Sequence, residues 1–565
     1  MASPTIEIEL EPAETPAIAP APQAELVVRS AGIISAAVLL SRITGLAREM
    51  VMAHNFGAGF LHDSFLLGFR IPNLTRDLFA EGALSSAFVP VFTKSLVLGG
   101  ERKAAELANL TTTAIFVIVG LLCLLGAAFA PQLVWLLAPG FAAVPGKFEL
   151  AVRLTRIMFP FLLLMALAAQ AMGMLNSKGS FGVPAAASIF FNIGAVGFGV
   201  LLGFAAGPRF GIQPIEGMAY GVVLGGALQL GWQVIKLRSM DFHFRPAWNW
   251  SHPGLRQIFH LMLPAVIGNA AVQINVMVNT SFASRLHDPL RGLDGPVSWL
   301  AFALRFVQLP LGLFAVAFAV AMLPSISRSA AAKDFEEFRK TVSRSLGMVF
   351  LLTIPASMAL IVLGRPIIGA VYQSGRFQAY DTEQTALALA CYSAGLVAYA
   401  SARILNPAFY ALSDARTPMY LSLLSIIVNL AMPLFLLKVL HFNFAALALT
   451  TAFAVSLECA CLAECLRRKL GGLEGRYLRD CFLRILAAST AMGIPLFFLA
   501  REFVKYLPAT RGAYWWELAI EAPLGLLLFY LAARLLGISE ISVACNLYVA
   551  PIWHRLTGAR AKIWY

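Results

Sequence analysis

SWLAFALRFVQLPLGLFAVAFAVAMLP, residues 298–324, contains one charged residue, Arg305, in 27 positions. A helix needs about 20 apolar residues to cross a bilayer, so this segment reads as a transmembrane span. Segments of the same kind recur along the chain at approximately 30–53, 62–92, 107–130, 150–175, 184–206, 217–237, 257–284, 345–364, 385–411, 417–438, 443–466, 481–500 and 516–537. With 298–326 they predict an all-α polytopic membrane protein of about 14 spans. The composition agrees: 59% of the 565 residues are hydrophobic and 13% charged, and mean hydropathy is +0.75. A soluble domain carries about 25% charged residues, which excludes a water-soluble enzyme. Outer-membrane barrels alternate polar and apolar residues over ~10 positions, unlike these unbroken runs.

Residues 1–25, MASPTIEIELEPAETPAIAPAPQAE, are acidic and rich in Pro and Ala. They lack the basic and apolar regions of a signal peptide and read as a disordered tail. The net charge of +13 would suggest nucleic acid in a soluble protein. In a membrane protein it reflects Lys and Arg gathered in cytoplasmic loops. With the N-terminus inside, the loops after even-numbered spans plus the C-terminal tail hold about 22 Lys/Arg against about 10 on the other side. Both termini are therefore expected in the cytoplasm. Lys236, Arg238, Arg245, Arg256, Arg328, Lys333, Arg339 and Arg467 are among these determinants.

The chain also repeats itself. AFVPVFTKSL (87–96) corresponds to VAMLPSISRSA (320–330), aligning Pro90 with Pro324. KGSFGVPAAASIFFNI, around Pro184, corresponds to SDARTPMYLSLLSIIVNL, around Pro418, with the same offset of 234. Six spans thus occur twice and two follow. The expected organisation is a first lobe at 26–256, a second at 257–470, and a terminal helix pair with a tail at 471–565. A repeat of even span number keeps its orientation, as in transporters whose lobes enclose a cavity at their interface.

Charges inside the spans point to function. Span one holds Arg42, Arg48 and Glu49; span two holds Asp63, Arg70, Arg76, Asp77 and Glu81; span eight holds Arg305. A charged group at a helix centre costs roughly 2.5–3.5 kcal/mol on insertion scales, so such groups face a wet cavity or each other. Arg42 with Glu49, and Asp63 with Arg70, are seven apart, close to one helix face, and are expected to pair. A surplus of Arg remains, and the guanidinium fork suits phosphate oxygens. The residues predict a cationic cavity for an anionic headgroup.

Other chemistry is not signalled. The eight His form no H-E-x-x-H, and no G-x-x-x-x-G-K-[ST] loop occurs. Cys459, Cys461 and Cys465 cluster without His or a C-x-x-C spacing and read as buried small side chains. No metal, cofactor or disulfide is expected. A polyprenyl-phosphate transferase would need carboxylate or His clusters at a loop. A drug-cation exporter would need an acidic cavity. Both readings are weaker than transport of an anionic lipid.

SRITGLAREMVMAHNFGAG (41–59) and DSFLLGFRIPNLTRDLFAEGALSSAFVPVF (63–92) resemble the N-terminal signature of the MurJ (MviN) family of lipid II flippases, within the multidrug, oligosaccharidyl-lipid and polysaccharide exporter superfamily. The resemblance continues through LMLPAVIGNAAVQINVMVNTSFAS (261–284), the 298–329 segment, YQSGRF (372–377) and FYALSDARTP (409–418). It implies fourteen helices and a bacterial inner-membrane protein. It also implies translocation of the undecaprenyl-pyrophosphate-linked peptidoglycan precursor between leaflets, or of another lipid-linked oligosaccharide. By resemblance, Arg42, Arg48, Asp63, Arg76 and Arg305 serve the headgroup, Glu49 fills the acidic position beside Arg48, and the terminal helix pair lines a groove for the lipid tail. Some members bind sodium through carboxylates on helices seven and eleven. Spans seven and eleven here offer Asn269, Gln273, Asn275, Asn279 and Asn429 but no Asp or Glu. Coupling to another ion or to the membrane potential stays open.

Overall fold

The structure is a computed structural model. It describes residues 21–76, 84–438 and 443–541, with side chains for these except at 21–36, 75–76, 85–86, 264–272 and 438. Among the described residues there are helices and no strands.

The first lobe comprises α1 (Ala21–Phe56), α2 (Phe60–Arg76), α3 (Ser85–Ala128), α4 (Ala130–Leu137), α5 (Lys147–Met158), α6 (Pro160–Ser177), α7 (Gly182–Val200) and α8 (Pro214–Arg238). The second comprises α9 (Pro253–Ala283), α10 (Pro296–Pro310), α11 (Val316–Ala331), α12 (Phe335–Val362), α13 (Gly364–Tyr372), α14 (Ala379–Ser393), α15 (Leu396–Ala411), α16 (Arg416–Lys438) and α17 (Ala445–Leu470). The terminal pair is α18 (Gly475–Tyr506) and α19 (Arg511–Leu535), packed on each other and on α12 and α13. α1 begins at Ala21, so the last residues of the expected tail are helical; residues 1–20 and 542–565 lie outside the described residues.

Ten helices among the described residues are long and apolar enough to cross a membrane, or eleven if α14 and α15, bent by 42°, form one span. The expected spans one, two and seven fall on α1, α2 and α9, which are outside that set. For α2 the reason is its 17-residue length. Gly100, at φ 73°, breaks α3 into the end of span two and all of span three. A positive φ is where a Cβ is costly and glycine is not, so the sequence places its GG pair at the kink. Pro184 and Pro418, aligned in the sequence, are each the third residue of their helix, α7 and α16. At this position in the first turn, proline's missing N–H costs no helical bond.

Large apolar side chains are exposed on the outer faces, among them Leu121, Leu124, Ile427, Leu526 and Leu527. A bilayer-facing surface requires this. One buried core is shared by both lobes, joining Ala53 and Leu67 to Trp299, Phe302, Tyr372, Phe377 and Leu447. A second core joins α3 and α6 of the first lobe to Ile258 and Met262 of α9, and the others belong to single lobes or seat the terminal pair. The lobes therefore meet at the end where α1 leads into α2 and α9 into α10, and also where the start of α9 packs along α3. Outside the spans, Asp414 accepts hydrogen bonds from Thr417 and Lys469, tying the start of α16 to the end of α17. These contacts hold its carboxyl well below the usual carboxylate range.

Candidate functional site

α1 and α10 come from different lobes and present their charges to one cavity of about 230 Å³. It is lined by Arg42, Arg48 and Glu49 of α1, Asn192 of α7, and Arg305 and Gln308 of α10. Glu49 is the hub. Its Oε1 accepts from the Arg48 guanidinium at 2.9 Å and from Arg305 at 3.3 Å. The Arg48 guanidinium also lies over the rings of Phe69 and Phe191, at 5.9 and 5.4 Å from their centroids. Cation–π contact of this kind holds a cation in a partly dry site. Arg305 keeps 48% of its side chain exposed, so it can still reach a ligand.

Arg42 has no ion-pair partner among the described residues. Its guanidinium lies against Gly312, in the π-helical turn Leu311–Ala315 that follows α10, where a Cβ would overlap it. The proline before that turn, Pro310, lacks an N–H, and π-turns recur at functional sites. Asn192 donates to the Ser41 carbonyl at 3.2 Å and to Thr44 Oγ1 at 3.3 Å, fixing α7 against the cavity wall of α1.

The spacing argument for pairing does not hold. Glu49 pairs with Arg48 and Arg305, not with Arg42. Asp63 pairs with Lys147, not with Arg70, whose guanidinium donates to Thr280 Oγ1 of α9. Residues seven apart share a helix face, but partners on other helices are nearer in space. Arg76 closes α2, and its side chain lies outside the described residues, as do Asp77 and Glu81.

Asp63 is fully buried outside the cavity. Its carboxylate accepts from Lys147 Nζ at 2.9 Å, Gly295 N at 3.0 Å and Ser298 N at 2.9 Å, and from the Ser298 hydroxyl. Lys147 Nζ also donates to Asp294 at 2.6 Å and sits 4.4 Å from the Phe141 ring centroid. Close by, Arg291 pairs with Asp381 at 3.0 Å and donates to the Ala58 carbonyl at 2.7 Å. Arg376 N donates to the His54 carbonyl at 2.9 Å. Together these contacts form an inter-lobe latch at the joined end.

Sequence reasoning missed Lys147, Asp294, Arg291 and Asp381 because loop charges were assigned to orientation. One signal was available: Lys147 is the first residue of α5, where the helix dipole disfavours a cation, so a strong acidic partner is required.

Two other features bear on function. An apolar cavity of about 520 Å³ lies between α12, α15, α17 and α18, walled by Phe350, Ile354, Val397, Leu405, Phe482 and Leu486. Of the terminal pair, only α18 lines it. In α9, α16 and α17, Asn429 donates to Asn275 and to Asn279 at 3.1 Å, and Thr451 donates to Asn429 at 3.2 Å. This network is uncharged. No group of three or more His, Cys, Asp or Glu that could hold a metal occurs among the described residues.

Two helical lobes around a cation-lined cavity, joined by a buried salt-bridge cluster, define a polytopic transporter of the alternating-access type. A sequence profile of the family described as lipid II flippase MurJ matches residues 52–510. The chain belongs to the MurJ family. It is 33% identical over 442 residues to a probable lipid II flippase MurJ of Vibrio cholerae, covering 77% of this chain and 82% of that one. It is 34% identical over 400 residues to the lipid II flippase MurJ of Burkholderia cenocepacia, covering 70% and 75%. A solved structure of a lipid II flippase MurJ in an inward closed conformation superposes with TM-score 0.73 at 24% identity, covering 90% of this chain and 99% of that one. An inward-facing multidrug resistance transporter of the MATE family gives 0.64 at 13% identity, covering 78% and 98%. These likenesses establish the shared fold.

Proposed function

We propose that this chain translocates lipid II, the undecaprenyl-pyrophosphate-linked peptidoglycan precursor, from the inner to the outer leaflet of the bacterial cytoplasmic membrane. Both termini lie in the cytoplasm on this reading, which places the latched end outside. The observation that carries it is Glu49 shared by Arg48 and Arg305, with Arg42 beside them. One carboxylate against three guanidiniums leaves a surplus of positive charge between the lobes. A pyrophosphate neutralises that surplus, and each Arg–phosphate contact is charge-assisted. A drug cation would meet repulsion.

The steps follow from the charges. The headgroup enters from the cytoplasmic side and accepts from Arg42, Arg48 and Arg305, two from one lobe and one from the other. Ligand held by both lobes draws them together around it, because its affinity for the closed arrangement exceeds that for the open one. Closing on the inside strains the latch outside. Lys147, Asp63 and Asp294 then separate into water, which solvates charges that the bilayer would not. Arg76 and Asp63 serve the headgroup only in that second arrangement. The polyprenyl tail stays in lipid and follows the apolar groove beside α18.

Depletion of the protein tests the reading. Lipid II should build up in the inner leaflet, and expression of the chain should clear it. Unchanged leaflet distribution on depletion would overturn it. Accumulation of a different lipid-linked oligosaccharide would redirect it to that substrate.

A further inference from the structure

Two carboxyls on α19 have no use in the transport reading. Glu517 and Glu521 are one turn apart on the same helix face, inside a candidate span. Glu521 is fully buried, and neither of its carboxyl oxygens has a hydrogen-bond partner. Glu517 is 4% exposed. Tyr514, on the same face a turn earlier, is buried with its hydroxyl unpartnered. It packs against Gly369 of α13 so closely that no Cβ would fit there.

The surroundings are apolar: Met492 and Leu496 of α18, Met358 of α12 and Leu363 just beyond it, and Ile367 of α13. Ionisable groups from the neighbouring elements are few. α18 has none between Arg484 and Arg501, and α12 has none after Arg344. α13 contributes Arg365, whose guanidinium lies 5.8 Å from the Tyr514 ring centroid and pairs with Glu383 of α14 at 3.5 Å. Arg365 thus already has an acidic partner. It leaves Glu521 without a counter-ion.

An ionised carboxylate in such a place needs a partner that is not there. A metal cation would need about six oxygens, and this contact cannot supply them. A proton needs one. We propose that Glu521, with Glu517 beside it, is a proton-binding site, and that its proton keeps the terminal helix pair seated on α13. When the proton leaves, the charge must reach water or Arg365, and α19 must move off its contact to allow it. Because α18 moves with α19 and walls the apolar groove, proton occupancy sets the shape of that groove. The inference rests on the geometry of α13, α18 and α19, independent of what is transported.

A hydrophobic carbodiimide tests it. Such a reagent takes up the acid proton and the carboxyl together, forming a stable N-acylurea only where the acid is protonated in an apolar site. The full-length protein in phospholipid vesicles is treated from about pH 5 to about pH 9, and modification at Glu521 is read by peptide mass spectrometry. Glu521 should be modified, with the yield falling about tenfold per unit above its midpoint. Glu521→Gln should remove the adduct. Hydrogen–deuterium protection of residues 511–535 should fall over the same pH range in the wild type and stay constant in Glu521→Gln. If Glu521→Gln fails to insert, the wild-type titration alone decides. No modification of Glu521 at any pH overturns the proton site; a pH-independent yield does so too. Protection that does not follow the modification overturns the seating role.

Discussion

Glu49 of α1 and Arg305 of α10 meet at 3.3 Å, an ion pair that joins one lobe to the other. It places the cavity's only described carboxylate where both lobes hold it, leaving Arg42 and half of Arg305 free for a ligand. A hydrogen bond to a charged group contributes about 1.5–3 kcal/mol. Arg305→Ala should therefore lower transport about 10- to 100-fold at equal membrane abundance, measured by complementation of a depletion strain and by lipid II leaflet distribution. Arg305→Lys should recover only part, because it keeps the charge and loses the fork. Full activity in Arg305→Ala would remove this residue from the site.

Removing Lys147 tests the latch. Lys147→Met leaves Asp63 buried with its charge uncompensated, which costs about 3–5 kcal/mol. Thermal unfolding of the purified variant should show a clear fall in midpoint. Adding Asp63→Asn should restore part of the loss, since the second change removes the orphaned charge. If the double variant were as unstable as the sum of the two single changes, the pair would not be coupled.

Opening of the joined end can be blocked covalently. The Cβ position at Gly59, between α1 and α2, lies 3.6 Å from Asp294 Cβ, just before α10. Disulfides span Cβ separations of about 3.5–4.5 Å, so Gly59→Cys with Asp294→Cys should crosslink on oxidation, despite the strain of Cys at φ 143°. Transport should stop when oxidised and return on reduction. Transport that continues at full crosslinking would exclude separation of the lobes there and favour a fixed groove.

Close helix packing within the first lobe gives a stability prediction. A Cβ at Gly225 of α8 would sit 2.7 Å from Ala195 N and from the Phe191 carbonyl oxygen of α7. Backbone atoms cannot yield as a flexible side chain would. Gly225→Leu should destabilise the protein by about 1–3 kcal/mol or more, seen as a lower unfolding midpoint and reduced membrane abundance. Gly231→Leu, on the same helix where nothing lies within 4 Å, should be tolerated.

The Arg42, Arg48, Glu49 and Arg305 cavity was legible because each lies inside an apolar run, and charge in such a run is costly wherever it ends up. Asp63 carried the same signal and is held in this structure by a buried salt bridge with Lys147. Its signal was the insertion penalty, which a buried salt bridge relieves as well as a wet cavity does. The apolar spans and the first-turn prolines are likewise properties of short stretches. Hydrophobic length and proline position act over short stretches of chain, so residues adjacent in sequence suffice to read them. The partners of the charges were decided by tertiary structure. Asp63 meets Lys147, 84 residues on, and Glu49 meets Arg305, 256 residues on. Coulomb attraction depends on distance and desolvation, and both are set by which helices the fold brings side by side.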